Sequence, residues 1–293
     1  MAGTLTGEQV AGYRRDGFVL PIDVLSGDEA AAWRGEVETA EATHRDGALP
    51  HPLNQYFRVN AQVVLPFIAR FALDTRILDA VESLLGPDLL IWSAELFIKE
   101  PGTPKVVSWH QDLTYWGMGE TDEQVTAWLA LSPATAQSGC MRFVAGSHNN
   151  RIVAHRDTFH ADNLLSRGQE IAVEVDERDA VLAELQPGQM SLHHGRMFHA
   201  SGPNLSDDRR IGLAIRYVTP GVRQIVAARD YAMLARGIDR ERNWIHVLPP
   251  RAPFAPEALA LYEEIMRDQS GALAQGASQS VGLYGGATGT AKA

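Results

Sequence analysis

Leu90-Ile91-Trp92-Ser93-Ala94-Glu95-Leu96-Phe97-Ile98-Lys99 is the stretch on which the fold turns. Leu90, Trp92, Ala94, Leu96 and Ile98 are apolar, while Ser93, Glu95, Phe97 and Lys99 make a mixed polar set. Side chains two apart on a strand share a face, so the pattern predicts a strand with one face in a core. Similar short segments, separated by Gly and Pro, recur at 106–112, 125–131, 141–144, 180–185, 190–194 and 211–218. Such a series predicts a mainly β fold with flanking helices, a double-stranded β-helix. A cupin-like jelly roll of this kind closes its edges and leaves a mouth suited to a small ligand.

Helices flank this core. Thr6 to Gln9 and Ser26 to Glu29 are capping boxes, the first opening a short helix before Gly17 and the second a longer one through Thr43. Asp74 to Leu85 carries Leu78, Val81 and Leu85 at helical spacing, with Gly86 as the stop. We therefore expect one domain over residues 1–293: a helical part to about 87, the jelly roll from about 88 to 218, then a C-terminal extension with a helix near 230–236. Residues 271–293, rich in Gly, Ala and Ser, cannot bury enough apolar surface to fold alone and are expected to be mobile or weakly docked.

The chain has 293 residues, 45% of them hydrophobic and 21% charged, with a net charge of −10. That charge argues against nucleic acid, whose phosphates require a surplus of Lys and Arg. The single cysteine, Cys140, excludes an intramolecular disulfide and suits a reducing compartment. Residues 1–10 lack the features of a signal peptide, and no run of about 18 apolar residues exists to span a bilayer. The expected setting is the cytoplasm, with no membrane and a small-molecule partner; the sequence leaves oligomeric state open.

The strand-like segment Ser108-Trp109-His110-Gln111-Asp112 contains His-x-Asp, which directs an imidazole and a carboxylate to one side. These are two corners of the two-histidine, one-carboxylate triad that holds Fe(II) and leaves the opposite positions open. By itself such a tripeptide arises by chance, and a strand His is more often a core or surface residue than a ligand. His193, His194 and His199 are candidates for the third ligand. Arg210 enters the apolar strand Ile211-Gly212-Leu213-Ala214-Ile215-Arg216-Tyr217, and a buried guanidinium must meet an anion, either a dicarboxylate ligand or an internal Asp or Glu, unless with Arg209 it marks a solvated strand end.

Trp109-His110-Gln111-Asp112, then Gly139-Cys140-Met141-Arg142-Phe143-Val144-Ala145-Gly146-Ser147-His148, then His199-Ala200-Ser201-Gly202-Pro203-Asn204 and Arg210 closely resemble the phytanoyl-CoA dioxygenase-like family of Fe(II)/2-oxoglutarate oxygenases. The resemblance spans about 6–217. It implies His110, Asp112 and His199 as iron ligands. Arg210, eleven residues after His199, would grip 2-oxoglutarate. In the family's register His193 and His194 do not fit. Gln111, Trp128 and Ser201 match family positions that contact the cosubstrate, although a strand Gln, a core Trp and a turn Ser are ordinary structural residues too. The resemblance also implies O2 as second cosubstrate, succinate and CO2 as products, and hydroxylation rather than halogenation. Halogenating relatives replace the carboxylate, and Asp112 is present.

For the substrate, the polar face of 90–99 offers Glu95 and Lys99, which would sit near the metal if that face lines the mouth, or else pair together or face solvent. Trp116 matches a position that stacks on substrate in a relative, with Tyr115 beside it; either could be core. Arg216 shares a strand face with Arg210 and meets either the substrate or a second acid. Arg142 and His148 are read as structural, and His155 and His160 as part of a variable loop over 149–167 where a lid could sit. Two other classes fit parts of the pattern. A metal-dependent isomerase or hydrolase on a cupin-like barrel would have no use for Arg210. A silent binding protein would have no use for the triad.

Overall fold

The computed structural model describes residues 4–47, 49–158, 162–165 and 169–274. Both capping boxes close as expected. Thr6 caps α1 (Gly7–Asp16), which ends on Gly17 at φ 84°, and Ser26 caps α2 (Gly27–His44) after a strand β1 (Phe18–Asp23). Three short helices follow, α3 (Leu53–Arg58), α4 (Ala61–Val64) and α5 (Pro66–Ala72), then α6 (Thr75–Leu85) with Asp74 as its N-cap.

The strands are β2 (Leu89–Lys99), β3 (Val107–His110), β4 (Gln124–Ala130), β5 (Met141–Val144), β6 (His155–Asp157), β7 (Gln169–Ile171), β8 (Ala180–Ala183), β9 (Gln189–His194), β10 (His199–Ser201), β11 (Arg210–Val218), β12 (Tyr231–Arg236) and β13 (Ile245–His246). Helix α7 (Pro256–Ala274) follows. A seven-stranded sheet runs β1-β9-β4-β11-β2-β12-β13, and a four-stranded sheet runs β3-β10-β5-β8. All pairings in both are antiparallel except β12 with β13. This is the expected jelly roll.

Strand β11 shows how the two faces are divided. Ile211, Leu213, Ile215 and Tyr217 join the large core shared with the helices, together with Leu129, Leu192 and Ile265. The alternate residues Arg210, Gly212, Ala214 and Arg216 turn inward; Ala214 packs with Trp128, Met141 and Phe143 from both sheets. Central position and two covered faces explain why every residue of β11 is buried. Gly212 is required here, because a Cβ would lie 1.9 Å from Cζ2 of Trp128. Gly212→Ala is expected to cost about 1–3 kcal/mol of stability and to displace the Trp128 ring, as read by urea unfolding and tryptophan emission.

Four expectations require correction. Residues 230–236 form the strand β12, paired with β2, not a helix; Tyr231, Ala232 and Met233 are each buried in a sheet environment that overrides local propensity. The N-terminal third also contributes β1, an edge strand of the large sheet. Within β2 the register skips Trp92, since Arg216 pairs with Ser93 and Tyr217 with Ile91. This bulge reverses the alternation: Ala94 and Leu96 lie in the main core as expected, but beyond it Leu89 and Ile91 take that role, while Leu90 and Trp92 turn inward. Lastly, residues up to Ala274 are helical, so the start of the 271–293 stretch belongs to α7; residues 275–293 lie outside the described residues.

Candidate metal centre and its two chambers

His110 ends β3 and His199 begins β10, and the two are direct cross-strand partners with ring centroids 4.0 Å apart. The ladder stops at His110, but Gln111 stays extended (φ −117°, ψ 128°), so Asp112, at the start of a 3-10 turn, still projects to the same side. Oδ1 of Asp112 lies 3.4 Å from Nε2 of His110 and 3.8 Å from Nε2 of His199. Atoms on one face of an octahedral shell with bonds near 2.1 Å are separated by about 3 Å, so the three donors need only a small closure.

Their protonation suits a cation. Nδ1 of His110 is 2.9 Å from the Ser108 carbonyl and Nδ1 of His199 is 3.0 Å from that of Met197. Each carbonyl can only accept, so Nδ1 carries the proton and Nε2 keeps its lone pair for a metal. Burial, reinforced by His110, pushes the pKa of His199 well down and keeps it neutral. Burial alone would raise that of Asp112, but His199, His110, His193 and Arg216 hold it well below the usual carboxylate range. Two imidazoles and one carboxylate, each buried, can therefore hold a divalent ion.

The other two histidines separate cleanly. His194 leaves the cluster, with Nε2 3.1 Å from Asp122 and Nδ1 accepting from the Arg196 amide. His193 stands behind Asp112. Its Nε2 is 3.6 Å from Oδ2, and neither ring nitrogen makes a hydrogen bond. Thr126 donates to the same Oδ2 at 3.2 Å and accepts from Gln124 at 3.1 Å. His193 thus helps to hold the carboxylate from outside. His193→Phe is expected to weaken metal binding on the order of 10-fold in a Ni(II) titration, with unchanged affinity as the contrary result.

Two chambers open from this centre and share Phe97, His110, Asp112, Leu165 and Arg216. The first, of about 480 Å³, contains Trp128, Ser201 and Arg210. Arg210 is 1% exposed, donates from Nη1 to the Gly139 carbonyl at 3.0 Å, and leaves Nε without a partner. Among the described residues no carboxylate pairs with it. The internal acid weighed above belongs instead to Arg209, which binds Glu41 at 2.7 Å and Glu100 at 2.8 Å. Burial pushes the pKa of Arg210 down to about 10, so the guanidinium is charged at neutral pH. A buried, charged, partly unsatisfied guanidinium is a fit receptor for a carboxylate.

Trp128 and Ser201 line the chamber of Arg210, whereas Gln111 borders the other one. Its side-chain amide donates to the carbonyls of Arg196 (2.9 Å) and Arg151 (3.3 Å) and accepts from the Val153 amide (2.9 Å), so it pins neighbouring loops. Lys99 lies elsewhere. It borders neither chamber, being 1% exposed and bonded to Ser201 at 2.8 Å beside Arg210.

The second chamber, about 760 Å³ and open to solvent, gathers Glu95 of that polar face with Tyr115, Trp116 and Arg216. Glu95 and Arg216 pair at 2.9 Å, and Arg216 lies 4.9 Å from the Trp116 ring centre. Trp116 also packs against Trp92, so core and lining roles coincide. Arg142 pairs with Glu177, and His148 lies 3.3 Å from the Arg14 carbonyl; both serve structure. His155 accepts from the Gln111 amide at 3.2 Å, while His160 lies outside the described residues.

Sequence reasoning missed the far wall. Gln269, from α7, and Asn60 line this chamber, bonded to each other at 2.8 Å. Buried Asp230 accepts from both Gln269 (2.8 Å) and the Trp92 indole (2.9 Å). No local signal marks residues that meet across 209 positions of chain.

A jelly roll that converges two histidines and an aspartate beside a buried arginine, with no carboxylate paired to it among the described residues, defines the non-haem iron, 2-oxoglutarate-dependent oxygenases. The chain belongs to the phytanoyl-CoA dioxygenase (PhyH) family of that class, whose model matches residues 13–212. Relatives include a probable alpha-ketoglutarate-dependent hypophosphite dioxygenase of Stutzerimonas stutzeri, 24% identical over 92% of this chain and 98% of that one. The ectoine dioxygenase of Sphingopyxis alaskensis is 26% identical over 73% of this chain and 76% of its own. Among solved structures, the non-heme monooxygenase ThoJ superposes with a TM-score of 0.81 at 34% identity, covering 91% of this chain and 98% of that one. No helix among the described residues is long and apolar enough to cross a membrane.

Proposed function

We propose that this protein is a hydroxylase of a small polar metabolite or natural-product intermediate. His110, Asp112 and His199 serve as iron ligands, and Arg210, Trp128 and Ser201 receive 2-oxoglutarate. The observation that carries this reading is that two members of the donor cluster, His110 and Asp112, border both chambers, one of which also holds His199 and an arginine with no carboxylate partner among the described residues. When bound, iron with 2-oxoglutarate and O2 supplies the oxidising power, and succinate and CO2 are released.

The chain's own residues then have defined tasks. Arg210 fixes one end of the dicarboxylate, His199 and His110 present Nε2, and Thr126 and His193 keep Asp112 oriented. In the second chamber Trp116, Tyr115 and the Glu95–Arg216 pair hold the substrate so that one C–H bond faces the metal; positioning is most of what such a protein contributes to rate. The aromatic surface and the paired charges favour a compact molecule with both polar and apolar parts.

A screen of candidate substrates for stimulated succinate release, followed by mass analysis, tests the proposal. A product heavier by one oxygen supports hydroxylation. A product without that gain shows a different coupled oxidation, and turnover without 2-oxoglutarate or under anaerobic conditions contradicts the class of reaction.

A further inference from the structure

The far wall of the second chamber is built from side-chain amides whose orientation is fixed from both ends. At one end buried Asp230 accepts from the Tyr231 amide (2.8 Å), the Trp92 indole (2.9 Å), Gln224 (3.0 Å) and Gln269 (2.8 Å). The first two can only donate, and the oxygen of Gln224 is already taken by the amides of Val226 and Ala227. Burial raises the pKa of Asp230, and these donors, Gln269 first, oppose the rise. Gln269 therefore turns Nε2 to Asp230 and Oε1 to Nδ2 of Asn60, 2.8 Å away. At the other end the Ala94 amide, again only a donor, binds Oε1 of Gln62 at 2.9 Å. Gln62 is left to offer Nε2 to Asn60 Oδ1 at 3.4 Å, which directs Asn60 Nδ2 to Gln269. The two ends agree, and every amide oxygen in the chain is taken. Asn60 and Gln269 each retain one N–H hydrogen, and among the described residues no acceptor takes either. Both side chains are buried and line the chamber. Arg58 lines it too, its guanidinium 4.2 Å from the Phe97 ring centre and Nη2 donating to the Leu164 carbonyl at 3.0 Å. The carboxylates of the lining are committed elsewhere, Glu95 to Arg216 at 2.9 Å and Asp112 to the donor cluster.

We propose that Asn60, Gln269 and Arg58 form a subsite for an oxyanion of the substrate, a carboxylate or a phosphate, which anchors the molecule while its reacting carbon faces the metal. The inference rests on the reading of the second chamber as the substrate site. A buried N–H without an acceptor is costly, and an oxyanion supplies acceptors to both amides at once. The guanidinium then separates an anion from a neutral carbonyl, because charge-assisted hydrogen bonds are the stronger ones. An ammonium group would meet donors only. Asn60 also holds a left-handed backbone (φ 46°), a conformation open to Asn and Asp, so an Asp placed there keeps the local chain path.

Calorimetric titration of the full chain, loaded with Ni(II) and 2-oxoglutarate, tests this with 3-phenylpropionate, phenyl phosphate and the neutral 3-phenylpropionamide. The phenyl ring suits the Trp92 and Trp116 walls. The wild type should bind at least one anion about 10-fold or more tightly than the amide, and the tighter anion tells carboxylate from phosphate. Asn60→Asp removes a donor and adds a negative charge; it should weaken the anions by about 10- to 100-fold and leave the amide within about 2-fold. Gln269→Met removes the other donor without adding charge and should narrow the same ratio by about 3- to 10-fold, which decides the matter should Asn60→Asp fail to fold. Equal binding of anion and amide by the wild type, no saturable binding of either anion up to about 20 mM, or an anion preference that survives both variants overturns the proposal. Anion binding with the expected preference that fails to compete with a substrate found by succinate release leaves the oxyanion subsite standing and overturns the substrate-chamber reading instead.

Discussion

Asp112→Ala is expected to lower turnover by roughly three orders of magnitude or more, because the metal's contribution of several kcal/mol is lost with the carboxylate proposed to hold it. The substitution removes Oδ1, which faces His110 and His199, and also strands the Thr126 hydroxyl and the His193 ring that now face Oδ2. The loss should appear first as weakened metal binding, so iron content after anaerobic reconstitution should fall in parallel with succinate formation. The fold should persist, since the core beneath the large sheet is built from residues such as Leu129, Leu213 and Ile215 that do not contact Asp112. Normal metal content combined with normal turnover would remove Asp112 from the centre.

Arg210→Met is the second large effect, and it has two opposite signs. Loss of charge-assisted hydrogen bonds to a carboxylate should raise the KM for 2-oxoglutarate on the order of 100-fold, with a smaller change in kcat. The unliganded protein, however, should become more stable. Arg210 is buried with an unsatisfied Nε and no acidic partner, so replacing it by an apolar side chain of similar length removes a desolvated charge. A thermal melt that rises while cosubstrate affinity collapses would mark a residue kept for binding. Arg209→Met supplies the contrast: its partners Glu41 and Glu100 lie at the surface end of the strand, so it should leave the KM unchanged.

The parts of this molecule that could be read in advance are those governed by local pattern. The period-two alternation in β11 and most of β2 follows from burial of one face, and capping boxes at Thr6 and Ser26 fix helix starts within a few residues. The convergence of His110, Asp112 and His199 beside Arg210 follows from a register that ties them together along the chain. What escaped was set by contacts distant in the chain. A bulge at Trp92 reversed the expected faces of the outer half of β2, and nothing in that strand's composition announces it. Asp230 lies beside a strand that reads as a helix, yet becomes the acceptor for Trp92 and Gln269.

Gln111 and Lys99 teach a related lesson. Both are polar and close in sequence to the metal ligands or the substrate-facing strand, but their partners decide their roles. The Gln111 amide is consumed by three backbone groups. Lys99 stands at the end of the polar face, where the strand has carried it past the mouth and opposite Arg210. His193 was set aside as an iron ligand by its register, and the structure keeps it off Oδ1 while bringing it to Oδ2.

The most direct measurement is an anaerobic titration of the Fe(II)-loaded protein with 2-oxoglutarate, followed by visible absorption, since a 2-oxoacid chelated to Fe(II) gives a charge-transfer band that needs no substrate. The account predicts a band that saturates at one equivalent, is absent in His199→Ala, and in Arg210→Met requires far higher 2-oxoglutarate. Stoichiometric iron with no band at any concentration, or an undiminished band in His199→Ala, would contradict it.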